Sequence, residues 1–204
     1  AKARVTLAPA LLARVLVVMT AASVTGSLLF NFTTNGNAQL LGERFRGIVE
    51  DPALLGAMLA AVYAVAALAQ VVVGRLIDRV PLKPLYLGIV LLQIPFLALA
   101  AWAQGWWLLA LLLAVMVFIF GSIPFTDAMI VRYVDDRIRS RVAGARLTVS
   151  IGISSLAVWL LGPVVKASSF AALLWGMALI AACTLAVVAW LPGEGDAGAA
   201  PPAP

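Results

Sequence analysis

The sequence contains no histidine and only one cysteine, Cys183. Without histidine it lacks the usual general base of serine and cysteine nucleophiles and the commonest ligand of catalytic zinc. The long apolar stretches also lack paired carboxylates, which excludes an aspartate dyad. We therefore expect no metal site, no cofactor and no enzyme, and an intramembrane protease or lipid transferase is the class that these absences argue against.

Charge is scarce as well. Charged residues make up 11% of the chain and hydrophobic residues 64%, and the mean hydropathy is +1.07. A soluble domain carries roughly 25% charged residues, so an ordinary water-surrounded core is excluded. Apolar stretches of about 20 residues, enough for a helix to cross a bilayer, recur along the chain. We predict an all-α membrane bundle over residues 1–191, with spans near 11–33, 53–74, 85–103, 107–131, 143–164 and 169–191.

The net charge of +5 is unevenly placed. Eleven of the 14 Lys and Arg residues fall in the N-terminal segment and in the second and fourth connections, and three fall on the other side: Arg44, Arg46 and Lys166. Because basic residues are retained on the cytoplasmic side, both termini are predicted to be cytoplasmic. Topology accounts for this charge, so no nucleic acid partner is needed.

Three tryptophans, Trp102, Trp106 and Trp107, are expected at the opposite membrane interface. The tail over 192–204 is rich in Pro, Gly and Ala and is predicted to be disordered and cytoplasmic. The expected location is the lipid bilayer of a bacterial inner membrane. The chain begins with Ala1 and a short basic segment, which suggests a piece of a longer protein.

The first span carries a polar stripe that begins at Thr20 and Ser23. Its members recur at steps of three or four residues, so they share one helix face, which is costly to expose to lipid. The stripe either forms hydrogen bonds between helices or lines a polar solute path. We favour the path, because polar side chains crowd at its outer end; the candidates are Ser27, Asn31, Thr34, Asn35, Asn37 and Gln39.

Three more polar residues lie in the apolar spans. Gln70 and Gln93 could bond a neighbouring helix or a solute. Asp127 is the one acidic residue inside a predicted span, about one turn from the cytoplasmic end and near Arg132. A carboxylate there could couple transport to a proton or simply extend to the membrane surface, and both interpretations stay open.

Small residues recur at spacings of about four in the second span, at Gly56, Ala60 and Ala64, and again in the fifth. This pattern is typical of membrane helices that pack closely. Prolines are predicted to kink the third and fourth spans and, with the preceding glycine, to end the fifth regular segment. The predicted packing residues of the fifth span are Gly144, Gly152, Gly162 and Pro163.

The connection between the second and third spans reads Gly74-Arg-Leu-Ile-Asp78-Arg79-Val-Pro-Leu-Lys83. It resembles the G-x-x-x-D-R-x-G-R-K signature of the major facilitator superfamily, with Pro81 and Leu82 in place of a glycine and a basic residue. The basic segment after the fourth span and the Gly-rich fifth span resemble that family too.

The resemblance implies a fold of two inverted three-helix repeats, one half of a general-substrate-transporter fold. It also implies that Gly74, Asp78, Arg79 and Lys83 belong to a cytoplasmic gate, in which Asp78 and Arg79 hold that side closed in one state. The alternative is that they only anchor topology.

From the resemblance we expect helices seven to twelve of a twelve-helix transporter. The implied function is secondary active transport of a small solute by alternating access, as symport or antiport, with a proton as the candidate coupling ion and an amino-terminal six-helix half as partner. The alternative is a self-sufficient six-helix protein that pairs with a second copy or serves as the membrane subunit of a multi-component transporter.

Overall fold

A computed structural model describes residues 9–192, and the described residues form six helices and no strand. Each helix is long and apolar enough to cross a membrane, which confirms the predicted all-α membrane fold. Of the tail predicted to be disordered, all but Pro192 lies outside the described residues. The helices are α1 (Pro9–Arg44), α2 (Pro52–Ile77), α3 (Leu82–Ala100), α4 (Gly105–Tyr133), α5 (Asp136–Ala167) and α6 (Phe170–Ala189).

The first helix is longer than its predicted span. It contains 36 residues and is about 54 Å long at 1.5 Å per residue, so it exceeds a hydrocarbon core of about 30 Å. Polar side chains do not end it, because several donate to the carbonyl four residues earlier, as Asn35 does to Asn31 at 2.9 Å. Beyond them Leu40 and Leu41 are buried, so packing continues the helix to Arg44.

The fifth helix does not end at Gly162 and Pro163 as predicted. It runs through both residues to Ala167, because a proline removes only one helical hydrogen bond and membrane bundles tolerate that loss. The helix ends instead where Ser168 donates back to the carbonyl of Val164 at 2.7 Å. The next residue, Ser169, accepts from the backbone N–H of Ala172 and caps α6.

The helices of each half of the chain pack mainly against helices of the other half. α2 packs against α4, α3 against α4 and α6, and α1 against α4, α5 and α6. Exchanging α1 with α4, α2 with α5 and α3 with α6 maps this contact pattern onto itself. Consecutive helices run in opposite directions, so the second set of three is inverted relative to the first. The pattern therefore fits the predicted pair of inverted three-helix repeats.

The bundle has two chemically different ends. The α3 to α4 turn carries Trp102, Trp106 and Trp107, whose side chains are exposed, and we call this the tryptophan end. The opposite end carries the α2 to α3 and α4 to α5 connections with most of the arginines, and we call it the basic end. The amphipathic tryptophan rings suit a membrane interface.

Basic side chains cap the carboxyl ends of helices other than their own. A helix carboxyl end carries free carbonyls and a partial negative charge, which a cation stabilises. Four of the five caps lie at the basic end, where they hold different helices together. The contacts are Arg14 to Trp190 O at 2.7 Å, Lys83 to Leu191 O at 2.6 Å, Arg132 to Ile77 O at 3.2 Å, Arg139 to Val131 O at 3.2 Å and, at the tryptophan end, Arg44 to Ala101 O at 3.3 Å.

Replacing Lys83 with Met is expected to lower the free energy of unfolding by about 1–2 kcal/mol, because the end of α6 loses a charged donor. Arg79→Met is the control, since it removes a positive charge four residues away but Arg79 is exposed and its side chain makes no hydrogen bond or ion pair with another described residue. Thermal unfolding in detergent measures both. Equal midpoints for the two variants would contradict the capping role.

Candidate functional site

A cavity of about 410 Å³ lies between α1, α4 and α5. Its volume is in the range of small-molecule sites. Nine polar side chains line it among apolar ones, so we call it the hydroxyl cavity. They are Ser23, Ser27 and Asn31 from α1, Tyr86 from α3, Ser122 and Thr126 from α4, and Arg146, Ser150 and Ser154 from α5.

The polar residues of α5 share one helix face because they are four residues apart. On α1 they meet the predicted stripe: the Ser150 and Ser23 hydroxyls are 2.7 Å apart, and Asn31 Nδ2 donates to Ser154 Oγ at 2.8 Å. Asn31 therefore bonds a neighbouring helix, as one interpretation of the stripe expects, and also lines the cavity, whose use as a solute path stays a prediction. Ser27 also lines the cavity, and its hydroxyl makes no hydrogen bond among the described residues.

An ion pair lies at the edge of this cavity. Arg146 Nη2 donates to Asp127 Oδ1 at 2.6 Å, so α5 is joined to α4. The Arg146 side chain lines the cavity and is 15% exposed, whereas Asp127 is 67% exposed and does not line it. The partner of Asp127 is thus Arg146 rather than the nearby Arg132, which contacts α2.

An aromatic cluster of Phe30, Tyr63 and Phe120 lies beyond the cavity on the side of the tryptophan end. The ring centroids of Phe30 and Phe120 are 5.3 Å apart, and Tyr63 stacks on Phe120 at 6.1 Å. The Tyr63 hydroxyl donates to the carbonyl of Thr34 at 3.3 Å. The cluster thus joins α1, α2 and α4, and its member Phe30 also lines the cavity.

A second cavity of about 600 Å³ opens beyond the aromatic cluster. It lies between α1, α2 and their connection, and its polar lining comes from Arg46 and Glu50. On α1 it is lined by Ala38 and Gly42, which continue at helical spacing the face that carries Ser27. One face of α1 therefore lines both cavities, and the aromatic cluster lies between them.

Other predicted path residues lie away from the hydroxyl cavity. Asn37 is buried and donates to the Tyr63 hydroxyl at 3.3 Å and to Met116 Sδ at 3.4 Å. Gln93 is also buried and donates to the carbonyl of Phe118 at 3.0 Å, which ties α3 to α4. Both amides bond neighbouring helices. The remaining predicted residues line neither cavity: Thr34 and Asn35 bond within α1, Gln39 is exposed, and Gln70 is half-buried on α2.

The motif residues lie at the α2 to α3 connection. Asp78 and Arg79 are exposed, and neither side chain makes a hydrogen bond or ion pair with another described residue. No atom lies within 4 Å of a Cβ built on Gly74. Of the motif side chains, only that of Lys83 has a hydrogen bond among the described residues, and its acceptor lies at the end of α6.

The predicted packing residues of α5 face away from the bundle. Gly144, Gly152, Gly162 and Pro163 are exposed, and no atom lies within 4 Å of a Cβ built on any of the three glycines. Within residues 9–192 the structure thus brings none of these three glycines close against another helix. On α2 the stripe of Gly56, Ala60 and Ala64 is exposed too.

Six polar lining residues were missed by the sequence reasoning: Tyr86, Ser122, Thr126, Arg146, Ser150 and Ser154. The α5 residues had a signal, because Arg146, Ser150 and Ser154 recur at steps of four. Ser122 and Thr126 have the same spacing on α4. No sequence pattern indicated Tyr86, because its position in the cavity wall depends on how α3 packs against the other helices.

A family model described as Major Facilitator Superfamily matches residues 11–204. No curated protein and no solved structure matches the chain.

Proposed function

Because the chain belongs to the major facilitator superfamily, we propose that it is the carboxy-terminal six-helix half of a secondary transporter, not an enzyme, and that the hydroxyl cavity is its share of the solute path. The family supports membrane transport as the general function. The observation that carries the finer proposal is a cavity with nine polar side chains inside an apolar bundle. Polar groups at such depth are costly and mark solute or ion paths in membrane proteins.

Uneven coverage of the helices supports the half-transporter assignment. In an apolar 18-residue stretch of each helix, only 22% of the residues of α2 and 11% of those of α5 are buried, against 33–39% in the other four helices. Both exposed faces carry small residues, which let helix backbones approach closely. A second six-helix bundle, the amino-terminal half, would cover these faces.

The two cavities suit alternating access. With the basic end cytoplasmic, the hydroxyl cavity would open inward, and the second cavity would open outward across the aromatic cluster. Rocking of two bundles would open the path to each side in turn. Asp78 and Arg79 are exposed at the basic end and free to contact the partner bundle there, as the gate requires. Asp127 is the candidate site for a coupling proton, in symport or antiport.

The same exposed faces also suit a second copy of this chain, which is the alternative. The adjoining sequence of the gene separates the two. Six further apolar spans in the same reading frame are expected, and an isolated six-helix reading frame would favour the dimer.

Thiol labelling tests the solute path. In a Cys183→Ser background, Ser27→Cys is expected to react with a membrane-impermeant maleimide, because a water-filled cavity lets the thiol ionise. The control is Leu179→Cys on α6, a residue that is 67% exposed on an apolar helix face and would contact lipid. The label is added to membrane vesicles of both orientations that contain the protein expressed from its whole natural reading frame. A Ser27→Cys thiol as inert as Leu179→Cys from both sides would contradict the proposed path.

A further inference from the structure

Arg146 has an unused hydrogen-bond donor. Its Nη2 donates to Asp127, but its Nε is buried and has no hydrogen-bond partner. Nε and Nη2 form one edge of the guanidinium, and this edge matches the two oxygens of a carboxylate. Asp127 thus occupies half of a two-donor edge. A buried charged donor without a partner is costly, so a ligand oxygen at Nε would be stabilised.

The ion pair is oriented so that its positive member is inside. Arg146 lines the hydroxyl cavity and is largely buried, whereas Asp127 points its carboxylate to the exposed surface of α4. Among the described residues no acidic side chain lines the cavity, and Arg146 is the one charged side chain that does. Its charge suits an anionic solute rather than a cationic one.

Tyr86 offers a second donor. Its side chain is 2% exposed, and its ring stacks on Phe125 with centroids 4.4 Å apart, which fixes the ring against the cavity wall. The Tyr86 hydroxyl has no hydrogen bond among the described residues, although a buried phenol normally has one. A phenol donates well to a carboxylate oxygen.

The remaining lining supports an amphipathic solute. Ser122 and Thr126 donate their hydroxyl protons to carbonyls of their own helix. The apolar part of the lining includes Phe30, Leu147 and Ile151. A charged head near Arg146 and an apolar body against these side chains would both be accommodated.

We propose that the hydroxyl cavity binds a small organic carboxylate, with Arg146 receiving the carboxylate, Tyr86 donating to the same solute, and Asp127 acting as the internal carboxylate that the solute displaces from Arg146. This inference rests on the proposed function and names its substrate class. Displacement keeps Arg146 paired in both states, so the empty cavity does not hold an uncompensated cation.

Binding of three isosteric probes tests the charge preference. Phenylacetate, phenylacetamide and phenethylamine share a ring and differ in the charge of the head group. Isothermal titration calorimetry on the protein in its natural reading frame, purified in detergent, is expected to give phenylacetate at least about tenfold tighter binding than phenylacetamide, the factor of one charge-assisted hydrogen bond. Phenethylamine is expected to bind most weakly.

Variants then test the residues. Arg146→Gln is expected to weaken phenylacetate binding about a hundredfold and Tyr86→Phe about tenfold, with phenylacetamide binding less affected by Arg146→Gln. Asp127→Asn should tighten phenylacetate binding, because the internal competitor loses its charge. Arg139→Gln is the matched control: it breaks an ion pair of the same length, 2.6 Å to Asp136, and the cap on α4, but Arg139 does not line the cavity, so binding should be unchanged.

Each outcome decides the inference. If Arg146→Gln does not fold, Tyr86→Phe and Asp127→Asn still test it, because a purely structural ion pair predicts no gain of affinity in Asp127→Asn. Preference for phenylacetamide or phenethylamine, or no binding of any probe, would overturn the carboxylate assignment. Reaction of Ser27→Cys with the impermeant maleimide would then leave the solute path standing, whereas an inert thiol would remove both.

Discussion

Ser27→Phe is expected to abolish transport and leave the protein folded. Ser27 lines the hydroxyl cavity and its hydroxyl bonds no other described residue, so the substitution removes no contact that holds the bundle together. The added ring would fill space in a cavity of about 410 Å³. If the ring weakens solute binding by about 3 kcal/mol, uptake falls about a hundredfold.

The measurement is uptake into proteoliposomes, first of phenylacetate and then of any other solute that the unchanged protein carries. Ser27→Ala is the control, because it removes the hydroxyl without filling the cavity, and a change of less than about tenfold is expected. Size-exclusion profiles of the two variants should match. Uptake by Ser27→Phe equal to that of Ser27→Ala would show that the solute does not pass this wall.

Gly121→Leu is expected to destabilise the bundle by about 3 kcal/mol, the upper range for overpacking of a core. Gly121 is buried on α4, and a Cβ built there would lie 3.2 Å from Cγ2 of Val73 on α2. α2 and α4 form the most extensive helix contact of the bundle, so a branched side chain would separate them.

Thermal unfolding in detergent measures this effect, with Gly88→Leu on α3 as control, because no atom lies within 4 Å of a Cβ at that exposed glycine. Both variants replace a helical glycine with leucine, so the difference in midpoint isolates the α2 to α4 contact. Adding Val73→Ala to Gly121→Leu should recover part of the loss. If the midpoint of Gly121→Leu shifted as little as that of Gly88→Leu, the close contact between α2 and α4 at Gly121 would be contradicted.

The number, order and type of the helices could be predicted because the bilayer imposes them. A helix needs about 20 apolar residues to cross, and each such stretch became one helix. The ends of α1 and α5 were missed, since hydropathy does not report where a helix ends beyond the lipid. Burial of Leu41 extends α1, and the hydroxyl of Ser168 helps to end α5. The resemblance at Gly74 to Lys83 gave the family that the family model confirms.

The candidate site was predictable only where a helix has a single polar face. Ser27 and Asn31 follow from the stripe on α1. On α5 two patterns lie on opposite faces, and the glycine pattern was recognised while that of Arg146 was counted as topology alone. Gln93 is a polar residue in an apolar span, as a site residue would be, but its side chain forms a hydrogen bond to the backbone of α4. Which neighbour a polar side chain meets depends on tertiary packing, as Tyr86 also shows.

The exchange of neighbours between the two repeats has a consequence for biosynthesis. α1 has its principal contacts with α4, α5 and α6, and α2 with α4, so α1, α2 and α3 enter the bilayer before their partners in this bundle have been synthesised. Membrane helices insert individually and associate afterwards. A nascent chain stopped after α3 would therefore hold Asn37 and Gln93 in lipid without the α4 atoms that they bond. Insertion of α4 is the step at which Gln93 gains its acceptor, Asn37 gains a second one beside Tyr63, and the bundle begins to assemble.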